Sequence, residues 1–348
     1  MKKYGKSFIG AIALLALAMA VNTASFAQET SAKAESRLAE IQSLISQKNA
    51  KWVAGETSLS NLSEEDLQYR VGLNFEPIAA PPLREDEALR ANLPPAIDWR
   101  NENGNYVTGV RNQAKCGSCW AFAMTAALEA FVVRTQNKPG TDVHLSEQVM
   151  LSCSGVGSCK GGRLNADFLE TTGLPPVSYY PYTATDGNCA TAGMGWQKEA
   201  QKIGSWNSVS QNLKSIKAAL VKYGPMPTAM MVYEDLKYYK SGVYSYTSGK
   251  KLGGHAILLV GYSDSGQFFI VKNSWGEDWG EKGYFKIAYS QMTNLVMFGL
   301  STIAYQPAKT RTGNAFEAMT EETPSYQNET LNKFEPILRQ MQQPASFQ

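Results

Sequence analysis

The chain has 348 residues, enough for two packed cores or for one core with appendages. Its 33 Lys and Arg stand against 31 Asp and Glu, with no basic stripe interleaved with aromatics, which excludes the electrostatic signature of a nucleic-acid binder or of a protein drawn to anionic membranes. Only two histidines are present, so chemistry that needs an imidazole must choose between His144 and His255.

Taken in chain order, Lys2, Lys3 and Lys6 form a positive start, Phe8 to Val21 is apolar, and small residues surround Ser25-Phe26-Ala27. This reads as a cleaved export signal over 1–27, of bacterial type. The run falls short of the ~20 apolar residues that span a bilayer. No later segment is longer, so no membrane span is expected once the signal is gone. Export, to periplasm or medium, places the chain where disulfides persist. The cysteines are Cys116, Cys119, Cys153, Cys159 and Cys189, an odd count that leaves one thiol over.

Residues 28–92 carry no cysteine. Leu38, Ile41, Leu44 and Ile45 recur at helical spacing. Ser63 before Glu64, Glu65 and Asp66 reads as an N-cap with an acidic first turn, and Pro77, Pro81 and Pro82 predict an extended strap. A small helical unit tied to the rest by such a strap fits a pro-segment, with a disordered stalk as the alternative on composition alone. From Leu93 the chain is denser. Cys119 to Thr135 is apolar nearly all round, the mark of a helix in the middle of a core, and Cys119 is its first residue. Ser146 caps a second helix through Leu151. Residues 153–196, rich in Gly, Pro, Tyr and Cys, predict stapled loops. Leu213 to Tyr223 is amphipathic and stopped by Gly224-Pro225. Strand patterns then cover Pro227 to Val232, Ala256 to Tyr262, Phe268 to Lys272 and Gly283 to Ala288. A helical first half and a strand-rich second half give an α+β fold of two lobes with a cleft between them. Residues 307–348 are a polar, cysteine-free extension with a short helical pattern from Glu329 to Gln342.

A thiol reacts as the thiolate, and a helix N-terminus favours that anion. Cys119 opens such a helix. A neighbouring imidazolium would stabilise the anion and later protonate a leaving amine. His144 sits just before the capped helix at Ser146 and reads as a helix-start contact. His255 opens the strand before the hairpin turn Ser263-Asp264-Ser265-Gly266. If Asp264 and Ser265 are the turn centre, His255 lies opposite Ser274, beside Asn273. The Asn273 amide oxygen then accepts the imidazole N–H and fixes its tautomer, with Trp275 placed to shield the bond.

The segment Gln113-Ala114-Lys115-Cys116-Gly117-Ser118-Cys119-Trp120-Ala121-Phe122 resembles the active-site segment of papain-like cysteine peptidases, with His and Asn far downstream. Leu145-Ser146-Glu147-Gln148, Cys159-Lys160-Gly161-Gly162, Gly254-His255-Ala256 and Asn273-Ser274-Trp275-Gly276 are similar to the family too, over 93–306. The resemblance implies a papain-like fold, with a helical lobe and a β-barrel-like lobe flanking the active site. Cys119 is then the nucleophile, His255 the base and Asn273 its orienter, with Gln113 and the Cys119 N–H as oxyanion hole. It also implies disulfides Cys116–Cys159 and Cys153–Cys189, and a pro-segment and linker over 28–92 that lies in the cleft as intramolecular inhibitor. Gly161, Gly162, Gly254 and Trp275 would face the substrate, a protein or peptide. Leu164, Ala229, Ala256 and Ile303 would line the S2 pocket, and the aliphatic Ile303 predicts Leu, Val or Phe rather than Arg at P2. No cofactor or metal is expected, and a monomer is. Gly253-Gly254-His255, Tyr233 to Tyr244 and Trp52-Val53-Ala54-Gly55 look most like cathepsin B. The histidine pair of that branch's occluding loop is missing, so endopeptidase activity is expected. Read alone, Cys116-Gly117-Ser118-Cys119 also fits a redox C-x-x-C pair, and Cys116, Cys119, Cys153 and Cys159 a zinc site.

Overall fold

The computed structural model describes residues 32–84 and 87–308. The export signal and the Glu329 to Gln342 pattern lie outside the described residues. Among these, no helix is long and apolar enough to cross a membrane.

The N-terminal segment is ordered against the rest, unlike a disordered stalk. Helix α1 (32–47) buries Ile41. Strand β1 (Lys51–Ala54) alternates exposed and buried residues, with Trp52 packed on Tyr244. Helix α2 (Glu64–Gln68) is capped by Ser63, whose hydroxyl accepts from the Asp66 N–H. After helix α3 (Glu87–Ala91), strand β2 (Ala96–Asp98) enters the main sheet.

Helix α4 (Cys119–Thr135) spans the residues its composition predicts and is buried on nearly every side, because the sheet packs on one face and helix α5 (Glu147–Cys153) on another. The Ser146 hydroxyl caps α5 by accepting from Val149 N–H. Strands β3 (Gly157–Ser158) and β4 (Gly161–Gly162) and helix α6 (Asp167–Thr171) complete this lobe, stapled by Cys116–Cys159 and Cys153–Cys189.

The second lobe holds β5 (Ser205–Val209), α7 (Leu213–Tyr223), β6 (Met226–Tyr233), β7 (Tyr239–Tyr244), β8 (Lys251–Ser263), β9 (Phe268–Lys272), β10 (Tyr284–Ala288) and β11 (Thr302–Gln306). The main sheet runs β1-β7-β10-β9-β8-β2, with β6 also on β8, and β5 pairs β11 separately. The N-terminal segment thus supplies an edge strand of the main sheet.

The hairpin register departs from the sequence expectation. Leu258 pairs Lys272 and Leu259 pairs Val271, but Gly261 pairs Ile270 and Ser263 pairs Phe268. A bulge at Val260 and a loop of Asp264 to Gln267, with Gln267 at φ 54°, slide the pairing by one to two residues. Because β9 ends at Lys272, His255 has no ladder partner on it. It pairs Met230 on β6 and meets Asn273 through its side chain.

Candidate active site

Cys119 is the first residue of α4, and Ser118 before it provides no side-chain cap, so the first amides of the helix are free to face the sulfur. Backbone N–H groups converge there: those of Cys119 and Trp120 at the helix start, that of Gly72 from the N-terminal segment, and that of Ala256 at 3.5 Å from Sγ. They favour the thiolate, yet complete burial outweighs them and pushes the thiol up to about 11. Cys119 is the free cysteine, since Cys116 is joined to Cys159 and Cys153 to Cys189. Neither a redox pair of Cys119 with Cys116 nor a zinc site drawn from Cys116, Cys119, Cys153 and Cys159 is then available.

His255 is buried beside this sulfur's partner residue Ala256. Its Nε2 lies 2.8 Å from Asn273 Oδ1, and its Nδ1 has no hydrogen-bond partner. The Trp275 ring stacks on the imidazole, with centroids 4.8 Å apart and planes at 25°, and covers the bond from water. Burial drives the imidazole down to about 4, against the hydrogen bond to Asn273, which raises it. His144 takes another place, 3.7 Å from Glu147 at the start of α5.

Gln113 is fully buried. Its Nε2 donates to Cys116 O at 2.9 Å and to Tyr69 O at 3.2 Å, and its Oε1 accepts from Ser274 Oγ at 2.7 Å. Ala114 next to it holds φ 50°, supported by its N–H donating to Asn112 Oδ1. Tyr182 braces the same loop: its hydroxyl donates to Gln113 O at 2.8 Å and lies 2.7 Å from Ser118 Oγ. Local pattern gives no signal for Tyr182, whose value lies in contacts with residues far away in the chain.

The N-terminal segment runs over these groups. Leu73 bridges Gly162 in parallel sense and Gly254 in antiparallel sense, so the segment is held by both walls. The N–H groups of Gly72 and Leu73 donate to Gly254 O at 3.0 and 2.9 Å. Gly162 N–H donates to Gly72 O at 2.9 Å, and Asn74 N–H to Gly162 O at 2.7 Å. Tyr69 O occupies the Gln113 amide, and Arg70 O accepts from Trp275 Nε1 at 3.1 Å. Two ion pairs flank the crossing, Asp66–Lys115 at 2.8 Å and Glu76–Arg163 at 3.7 Å. Of the residues expected around S2, Leu164, Ala229, Ala256 and Ile303 are all buried, and Ala229 pairs Ala256 across β6 and β8.

A family model described as papain family cysteine protease matches residues 93–306. Ananain of Ananas comosus is 35% identical over 233 residues, covering 65% of this chain and 64% of its own. Cathepsin L2 of Homo sapiens is 37% identical over 246 residues, covering 64% and 67%. The chain thus spans about two thirds of the length of the curated relatives it matches. Among solved structures, a digestive procathepsin L2 proteinase of Tenebrio molitor superposes with TM-score 0.72 at 25% identity, over 88% of this chain and 95% of its own. A procathepsin B of Trypanosoma congolense reaches 0.69 at 23%, over 78% and 97%, a likeness of fold.

Proposed function

Because this chain belongs to the papain family of cysteine proteases, we propose that it is the zymogen of a cysteine endopeptidase with Cys119 as nucleophile, His255 as acid and base, Asn273 as the orienter of His255, and Gln113 with the Cys119 N–H as oxyanion hole. One observation carries the reading: the only free thiol stands at the N-terminus of a buried helix, against the Ala256 N–H, and the imidazole of His255, the residue before Ala256, has its Nε2 engaged by Asn273 and its Nδ1 unengaged.

With the cleft open, water and the helix-start amides favour the thiolate, and His255 holds the proton on Nδ1. The thiolate attacks the scissile carbonyl carbon. The carbonyl π-electrons move onto oxygen, which accepts from Gln113 Nε2 and the Cys119 N–H. Collapse breaks the C–N bond, the imidazolium protonates the leaving amine, and a thioester remains on Cys119. His255 then takes a proton from water, the hydroxide adds to the thioester carbon, and the C–S bond breaks to return the thiolate and a carboxylic acid.

The segment 28–92 acts as the inhibitor. It satisfies the Gln113 amide and the Trp275 indole with its own carbonyls, and as it crosses, Gly72 commits its N–H to Gly254 O and its carbonyl to the Gly162 N–H. Maturation is assigned between Pro82 and Leu93. Leu83 N–H is bound to Ser208 O at one end of this stretch, and Pro94 O and Pro95 O are bound to Tyr262 and Asp264 at the other. N-terminal sequencing of the processed form decides this.

A preference for Leu, Val or Phe at P2 rests on the buried aliphatic Ile303, because an aliphatic wall leaves a guanidinium unpaired. Faster cleavage of a fluorogenic dipeptide with Arg at P2 than of one with Leu rejects it. Placement beside cathepsin B rests on the likeness of Gly253-Gly254-His255, Tyr233 to Tyr244 and Trp52-Val53-Ala54-Gly55 alone, for the curated relatives named above include cathepsin L2. The stretch from Tyr182 to Trp196 holds no histidine pair, so endopeptidase rather than C-terminal dipeptide release follows. Export, to periplasm or medium, is supported by the positive, apolar start and by two disulfides. Sedimentation tests the monomer. For the activity, Cys119→Ser material processed by an added protease is expected to leave casein uncut, and casein digestion at the wild-type rate rejects the assignment.

A further inference from the structure

Resting on that reading, we infer that Lys115 and Arg163 select acidic residues on the two sides of the scissile bond, Lys115 on the leaving-group side at P2′ or P3′ and Arg163 on the acyl side at P3. The near balance of charge in the whole chain conceals a division. Residues 28–92 hold 11 Asp and Glu against 7 Lys and Arg, whereas 93–306 hold 19 Lys and Arg against 15 Asp and Glu. Processing therefore strips an acidic cover from a basic domain.

That cover meets the cleft in a fixed order. Along the segment, Asp66 pairs Lys115 at 2.8 Å, and the Tyr69 and Arg70 carbonyls accept from Gln113 and Trp275. Gly72 and Leu73 then donate to Gly254 O, Asn74 donates to Gly162 O, and Glu76 pairs Arg163 at 3.7 Å. The two carboxylates thus stand at opposite ends of a crossing that passes Cys119 at Gly72. Arg163 follows Gly162 and precedes Leu164, a residue of the S2 wall, so its guanidinium belongs to the acyl side, one residue past P2. Lys115 lies at the other end, two residues after Gln113, on the side from which the amine leaves.

Both cations lose these partners when the segment goes. Asp66 holds Lys115 above the usual lysine range, chiefly by its hydrogen bond, and Glu65 adds to the effect; both acids belong to residues 28–92. An ion pair requires charge and reach but no particular chain direction, so a carboxylate on a substrate strand can take the place of Asp66 or Glu76. The Lys115 and Arg163 side chains are 69% and 44% exposed, which sets the size of the preference. Exposed pairs are worth little and are screened by salt, so the gain in kcat/KM is about two- to fivefold for the close Lys115 contact and smaller for the looser Arg163 contact.

The test uses processed enzyme and pairs of internally quenched peptides that differ only by Glu or Gln at P3, P2′ or P3′. At low salt, Glu over Gln is expected to raise kcat/KM about threefold at P2′ or P3′ and about twofold at P3, and both ratios should fall to about one in ~0.5 M NaCl. Lys115→Glu is expected to push the leaving-side ratio below one while the P3 ratio keeps its value, and Arg163→Glu to do the converse. A wild-type ratio of one at low salt, or ratios that are the same in the variants as in wild type, overturns the inference and leaves the two cations as contacts of the zymogen alone. Cleavage of the Gln peptides in that case keeps the peptidase reading intact. Processed enzyme that cuts none of the peptides overturns that reading and the inference with it.

Discussion

Replacing Gly72 by Ala should open the zymogen without touching the catalytic groups. A Cβ built on Gly72 would lie 2.1 Å from Gly117 O, 2.5 Å from its carbonyl carbon and 2.6 Å from its Cα, all backbone. That loop cannot yield, since Cys116 is bonded to Cys159 and Gly117 N–H donates to Cys159 O at 2.8 Å. The N-terminal segment must therefore lift. Lifting breaks the two backbone bonds that Gly72 itself makes, to Gly254 O and from Gly162 N–H. At about 0.5–1.5 kcal/mol net each, the closed state loses about 1–3 kcal/mol, a factor of roughly 5 to 150 in the opening equilibrium. Cys119 is fully buried and is the only free cysteine, so iodoacetamide labelling of the full-length chain reads the open fraction directly. Gly72→Ala should label faster by that factor, while the processed enzymes from both precursors turn over alike. Labelling of Gly72→Ala at the wild-type rate would refute the claim that this crossing closes the cleft.

The two histidines make the pH behaviour readable by NMR of the rings. Burial lowers His255 to about 4 in the closed chain, so the open or unfolded state binds more protons between that value and the ordinary 6.5. Stability of the closed zymogen should rise with pH over this window and fall as pH drops through it. The His255 ring should stay neutral from pH 5 to 8 until the segment is removed; titration near 6.5 in the intact zymogen contradicts this. Glu129 is buried, bonded to the Thr108 hydroxyl and to Leu145 N–H at 2.9 Å, and Lys272 Nζ joins them through Thr108 at 3.2 Å. Glu129→Ala leaves the buried Leu145 N–H and Thr108 hydroxyl without their acceptor and should cost about 1–3 kcal/mol by denaturant titration; a loss under about 0.5 kcal/mol would show that these bonds contribute little to stability.

The chemistry was legible in the sequence where it depends on local pattern. The nearly all-apolar run marks α4 with Cys119 at its head, and Ser63 and Ser146 announce two helix starts that the hydroxyl bonds realise. The meeting of His255 and Asn273 was anticipated from the hairpin, but its register was not, because a bulge at Val260 depends on how β8 packs on both β6 and β9. Strands β5 and β11 were not read at all. Each is short and of mixed polarity, and each is a strand only because the other lies beside it from nearly a hundred residues away. Tyr182 is invisible as a functional residue for the same reason: a lone hydroxyl acquires meaning from the carbonyl that the fold sets against it.

The most direct test of the central claim is peptide mapping by mass after treatment with a peptidyl epoxide, before and after removal of the N-terminal segment. Processed enzyme should carry one adduct, on Cys119, and lose activity in step with it, while the intact zymogen stays almost unlabelled. Activity that survives full modification of Cys119, or an intact zymogen that labels as fast as the processed enzyme, would contradict the account.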